Sequence, residues 1–128
     1  HVLDEFNNFM EEEIYQMMVA TTEDQNELIL ENTTTLKVAR WWDKACDIIP
    51  CNGGKDIGIQ KILDYFNFNK EEAMAFGDGG NDISMLKYVG TGVAMGNAKD
   101  DVKAIADYIT DSVQEDGIVS ALKHFNII

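Results

Sequence analysis

The sequence predicts an α/β protein, a parallel sheet with flanking helices preceded by a smaller α/β segment. Three observations carry that reading. From Lys55 onward, short apolar runs of β-forming residues alternate with helix-period segments three times, through short connections. That rhythm belongs to βα units, whose functional loops lie at the carboxyl ends of the strands. Pro50, the one proline, followed by Cys51-Asn52-Gly53-Gly54, interrupts the pattern and puts a domain boundary near Asn52, dividing the chain into 1–52 and 53–128. Finally, 45% of the 128 residues are hydrophobic, enough for the core of about one ordinary domain.

In the leading segment, IYQMMVA (Ile14–Ala20) is apolar and rich in β-formers and reads as a strand. TEDQNELILEN (Thr22–Asn32) opens on Thr and Asp and continues in helix formers. TLKVARWW, ending at Trp42, alternates as a strand does, and ACDIIP is a further short strand stopped by Pro50. On a strand the adjacent Trp41 and Trp42 point to opposite faces, one into the core and one toward a partner or substrate surface. Beyond the joint, KDIGIQKILDYF carries Ile59, Ile62, Leu63 and Phe66 at helical spacing. AMAF (Ala73–Phe76) then reads as a buried strand, DISMLKYV as a helix and GVAM (Gly92–Met95) as a strand. KDDVKAIADY follows as a helix opened by Asn97, DYIT as a last strand and EDGIVSALKHF as a closing helix. The methionines fall on strands and helix faces, where core filling is the default role.

The formal charge is −13, from 23 acidic and 10 basic residues, a sign that repels phosphate backbones and anionic lipid and argues against nucleic acid as a partner. The apolar runs are far shorter than the ~20 residues a membrane span needs. Cys46 and Cys51 are too widely spaced for a redox C-x-x-C, and His1 and His124 lie far apart in the chain. Reduced thiols in a cytoplasmic protein are the expectation. HVLDEFNNFMEEE has no initiator Met, basic head or apolar signal core, and reads as the start of a cut piece.

The densest chemistry lies in MAFGDGGNDISML (Met74–Leu86). Asp78 falls just past the AMAF strand, and Asn81 and Asp82 in the first turn of the next helix. Gly77, Gly79 and Gly80 permit a tight turn between them. Two carboxylates facing one crevice suit Mg²⁺, which takes carboxylate oxygen, water and substrate phosphate, and Asn81 adds a neutral donor. The plainer alternative is a capped helix in which Asn or Asp satisfies free N–H groups. Asp pairs four apart recur at Asp43/Asp47 and Asp107/Asp111, so the glycines and the strand-end position, rather than spacing, favour a metal or phosphate role. Lys55 stands at the start of a helix, where the dipole disfavours a cation by about 0.3–1 kcal/mol. A phosphate or carboxylate beside it would relieve that cost, whereas a solvated lysine would pair with Asp56 or water. Asn97 follows a strand-end glycine, where it caps the next helix or contacts phosphate. Lys61, Lys70 and Lys87 have no comparable setting and read as surface.

GGKDIGIQKIL, AMAFGDGGNDISMLKYVGTGVAMGNAKDDVKAIADYIT and EDGIVSAL, together spanning roughly Lys55 to Phe125, resemble the carboxyl-terminal half of haloacid dehalogenase (HAD) superfamily phosphatases of the Cof type. GDGGND followed by GVAMGNA is the specific part. The resemblance implies a partial HAD Rossmann-like core in 53–128 and, in 1–52, the end of that family's inserted α/β cap. It implies that Lys55 steadies the phosphate and the nucleophile, and that Asp78 binds Mg²⁺ directly. Asp82 would bind the ion directly or through water, and Asn81 would help position the phosphoryl group. The implied substrate is a small phosphorylated metabolite such as a sugar phosphate. The family's nucleophile and acid/base sit in a D-x-D segment, and no two aspartates here are separated by one residue. The chain is therefore expected to be inactive alone, with no residue on which an aspartyl-phosphate can form. The alternative is a non-enzymatic Mg²⁺-binding or interaction module; a receiver domain would need a paired acidic cluster on an earlier strand, and none is present. Without the leading strands of the core, an unpaired sheet edge is expected, and with it self-association.

Overall fold

The computed structural model describes residues 13–128, so the leading HVLDEFNNFMEE, including His1, lies outside it. Two three-stranded sheets organise the described residues, one on each side of the Pro50–Gly54 turn. In the first, β1 (Met17–Val19), β2 (Leu36–Trp42) and β3 (Ala45–Pro50) pair antiparallel in the order β1-β3-β2. The helix expected at Thr22–Asn32 is a 3₁₀ turn, Glu23–Gln25, running into a short α1 (Asn26–Leu30). Arg40 ties this strap to the sheet, its guanidinium donating to the Thr21 carbonyl at 2.7 Å and to Asn26 Oδ1 at 2.7 Å.

β2 and β3 form a hairpin with Leu36 opposite Pro50 and Ala39 opposite Asp47, and the register slips between Arg40 and Trp42. The slip is a bulge, which bends a strand and breaks its strict alternation. Neither tryptophan enters the core as a result: Trp41 is 36% exposed and Trp42 51%. The core of this sheet is made instead by Ala45, Cys46 and Ile48 on the central strand β3. Core filling likewise fails for Met17 and Met18, which lie on the edge strand β1 and are exposed, while Met95 is buried. Both cysteines are free thiols, Cys46 buried and Cys51 exposed.

The second sheet is parallel, in the order β4 (Met74–Gly77), β5 (Thr91–Ala94), β6 (Tyr108–Ile109). Its helices are α2 (Lys55–Phe66), α3 (Ile83–Tyr88), α4 (Asp100–Lys103) and α5 (Gly117–His124). Ala75 and Ala94 from the strands meet Leu86, Val89, Ala98 and Val102 in one buried cluster, with Ile59 of α2 packed against it. Two of the other apolar positions of α2 do not follow: Ile62 and Phe66 are exposed, while Leu63 is half-buried. α2 ends where Asn67 turns left-handed (φ 57°) and its N–H reaches back to the Asp64 and Leu63 carbonyls, the usual device for closing a helix. β4 pairs with β5 alone, so among the described residues its other edge carries no strand.

One helix start is corrected. α4 opens at Lys99, whose backbone is extended, and not at Asn97. The side chain of Asn97 is committed elsewhere, with Nδ2 donating to Asp78 Oδ2 at 2.9 Å and Oδ1 accepting from the Val113 N–H at 3.1 Å.

Candidate functional site

β4 delivers the chain to its carboxyl end at Gly77. Asp78 follows, then a 3₁₀ turn, Gly80–Asp82, that leads into α3. The glycines here serve close approach rather than a left-handed turn, since Gly54 (φ 130°) is the one glycine with positive φ among the described residues. A Cβ on Gly77 would lie 2.6 Å from Cβ of Asp82, and one on Gly80 would lie 2.8 Å from the Arg40 carbonyl oxygen. Gly77 thus lets the Asp82 side chain fold back under the turn, and Gly80 lets the turn pack directly against β2.

Asp82 is only 5% exposed, and a buried carboxylate needs donors. It has three. Oδ2 accepts the N–H groups of Asp78 (3.0 Å) and Gly79 (3.1 Å), and Oδ1 accepts the Lys55 ammonium in an ion pair. Burial pushes the Asp82 carboxyl upward, but the Lys55 hydrogen bond, the two N–H groups and the Lys55 charge outweigh it and hold the carboxyl below its ordinary range. The anion expected beside the helix-start lysine is therefore Asp82, while Asp56 accepts the Ser84 hydroxyl at 3.2 Å.

Asp78 is exposed, and Asn97 holds one of its oxygens. Asp78, Asp82 and Lys55 line one cleft of about 440 Å³, walled by Phe76, Met85, Met95 and Ile118. Asn81 is not part of it. Asn81 lines a neighbouring cavity of about 600 Å³ between the turn and the antiparallel sheet, and Lys55 stands at both. The larger cavity also takes in Lys37 and Asp47, which sequence reasoning passed over as site residues. The signal was available, because the period-two pattern of TLKVARWW sets Lys37 and Ala39 on one face. A further ion pair, Lys99 Nζ to Asp43 Oδ1 at 2.6 Å, joins the loop after β5 to the β2–β3 turn. Among the described residues no group of three His, Cys, Asp or Glu side chains could hold a metal, so Asp78 and Asp82 stand as a pair.

The model of haloacid dehalogenase-like hydrolases matches residues 1–122. Bacillus subtilis (strain 168) YkrA is 40% identical over 116 residues, 91% of this chain and 45% of that protein. The 5-amino-6-(5-phospho-D-ribitylamino)uracil phosphatase YitU of the same organism is 46% identical over 79 residues, 62% of this chain and 29% of its own length. Among solved structures, a subclass IIB sugar phosphatase of the HAD superfamily superposes with TM-score 0.88 at 45% identity, over 96% of this chain and 47% of that one. The chain thus spans less than half the length of these relatives. Its parallel sheet with flanking helices is the HAD Rossmann-like arrangement, and the chain belongs to the haloacid dehalogenase-like hydrolases.

Proposed function

We propose that this chain carries the cation and phosphate end of a Mg²⁺-dependent phosphatase acting on small phosphorylated metabolites. The observation that carries the reading is the convergence of Asp78, Asp82 and Lys55 on one cleft at the carboxyl end of β4, with Asp78 open to solvent. The donor set fits Mg²⁺, which is commonly held by one or two carboxylates completed by water and substrate phosphate. Asp78 would hold the ion directly. Asp82, both of whose oxygens already accept hydrogen bonds, would act on it through water. When bound, the ion neutralises charge on the phosphoryl group, where most of the benefit in such reactions arises.

The chain's own residues do the rest. Asp82 holds the Lys55 ammonium at the mouth of the cleft, so that its charge faces an incoming phosphate without a search for orientation. Asn97 orients Asp78 and is a phosphate donor only if it gives up that bond. Asn81 offers a donor from the adjoining cavity, on the side from which the rest of the substrate would approach. Residues 1–52 read as the end of a cap over a core in 53–128. Related proteins named for a sugar phosphate and for a phosphoribityl compound support the substrate class. Free thiols agree with a cytoplasmic setting, and the open edge of β4 offers a route to self-association.

Titration calorimetry tests the reading. Mg²⁺ should bind the wild-type chain and strengthen its binding of inorganic phosphate, and Asp78→Asn should lower the Mg²⁺ affinity at least tenfold. Equal Mg²⁺ binding by wild type and Asp78→Asn would sink it. With p-nitrophenyl phosphate and Mg²⁺ the isolated chain should show no turnover, since it has no D-x-D nucleophile; turnover abolished by Asp78→Ala would overturn that expectation.

A further inference from the structure

Of the carboxylate oxygens on Asp78 and Asp82, only Asp78 Oδ1 is free of a hydrogen bond among the described residues. Asp82 spends Oδ1 on Lys55 and Oδ2 on the Asp78 and Gly79 N–H groups. Asp78 Oδ2 accepts Asn97 Nδ2 at 2.9 Å. The Asn97 amide is fixed at both ends, because its Oδ1 accepts the Val113 N–H at 3.1 Å. A backbone N–H only donates and a carboxylate only accepts, so a flipped amide would break both bonds. Val113 is itself held. It opens a 3₁₀ turn, Val113–Glu115, closed by the Ser112 hydroxyl donating to Glu115 Oε2 at 2.7 Å. Gly96 lets that segment pack against the loop after β5, since a Cβ there would lie 2.6 Å from the Ser112 nitrogen, and the Gly96 N–H donates to the Asp111 carbonyl at 3.0 Å. Residues 96–97 and 111–115 thus form one braced unit that delivers a donor to Asp78 Oδ2.

We propose that Asn97 is a positioning residue that sets which divalent ion the cleft takes, favouring Mg²⁺ over Ca²⁺ by holding Asp78 to binding through one oxygen. This rests on the phosphatase reading above. Both ions carry the same charge, so the acidity of the cleft attracts them alike and the oxygens on offer must discriminate. Mg²⁺ keeps several waters and is commonly held by one or two carboxylates. Ca²⁺ is larger, gathers about 6–8 oxygens and readily takes both oxygens of one carboxylate. With Asp78 Oδ2 occupied and both oxygens of Asp82 committed, the cleft presents Ca²⁺ with no carboxylate it can chelate.

Titration calorimetry of the full chain with magnesium chloride and with calcium chloride tests this through the ratio of the two affinities. The wild type should bind Mg²⁺ the more tightly. Asn97→Asp keeps an acceptor for the Val113 N–H but has no donor for Asp78, so the brace survives and only the hold on Oδ2 is lost. Asn97→Leu gives up both bonds while adding neither charge nor oxygen. Each variant, first shown to be folded by circular dichroism, should shift the ratio about tenfold toward Ca²⁺, the low end of what losing a group that orients a metal-binding side chain changes. Infrared spectra of the Ca²⁺-loaded variants should show the closely spaced carboxylate stretches of two-oxygen binding, absent from the Mg²⁺-loaded wild type. If both variants change the two affinities by one common factor, Asn97 is a structural brace and the inference is overturned while the Mg²⁺ site stands. A shift with Asn97→Asp alone would mark an added ligand and overturn it equally, as would a wild type that prefers Ca²⁺. If the wild type binds neither ion, the phosphatase reading falls and the ion choice with it.

Discussion

Asp82 offers the sharpest test of how this site is held together. Replacing it with Ala removes the acceptor of two backbone N–H groups and the partner of Lys55 in a pocket where the carboxylate is 5% exposed. An unmade hydrogen bond to a buried donor costs about 1–3 kcal/mol, toward the low end here because Asp78 itself is open to water. The Lys55 pair is discounted to about 1 kcal/mol or less, since the lysine side chain is 49% exposed. Asp82→Ala should therefore cost roughly 2–4 kcal/mol. Asp82→Asn keeps a carbonyl oxygen for the two N–H groups but turns a neutral amide toward Lys55, and should cost about 1–2 kcal/mol.

The pH dependence follows from the lowered carboxyl of Asp82. A group whose folded pKa lies below its unfolded value stabilises fully above the unfolded value, about 3.9 for Asp, and the contribution is lost as pH falls through the folded one. The gap between wild type and Asp82→Asn should thus be full at pH 7, begin to close near about pH 4, and shrink further toward pH 3. Urea unfolding at a series of pH values measures this directly. A gap that stays constant on acidification, or an Asn variant as costly as Ala, would refute the account of which atoms Asp82 serves.

Two further outcomes follow from packing. Gly80→Ala places a Cβ 2.8 Å from the Arg40 carbonyl, a backbone atom that can yield only if the turn and β2 separate, so a loss of about 1–3 kcal/mol is expected in thermal unfolding. Leu86→Ala empties a position 2% exposed at the centre of the buried cluster and should cost about 2–5 kcal/mol, measured as a lower urea midpoint with an unchanged slope.

Order and type of the elements were legible in the sequence because both are set by local patterns. The β4, β5 and α2 segments announce themselves through apolar runs and helical spacing, and the functional turn through its place between a strand and a helix. Lys55 could be expected to need an anion, because an ammonium at a helix start is unfavourable wherever the helix lies in the fold. Which anion it meets is a tertiary matter. Asp82 lies 27 residues further along the chain, and its approach depends on the absence of a side chain at Gly77. Asn97 shows the same division: capping was a sound local expectation, but the packing of the β5–α4 loop against Asp78 and Val113 offered its amide two other partners. Trp41 and Trp42 stayed out of the core because a bulge broke the alternation, and Asn81 lines the larger cavity and not the Asp78 cleft. Local pattern decides which residues form an element, but only the assembled sheets decide what each side chain touches, since those contacts join segments that no periodicity connects.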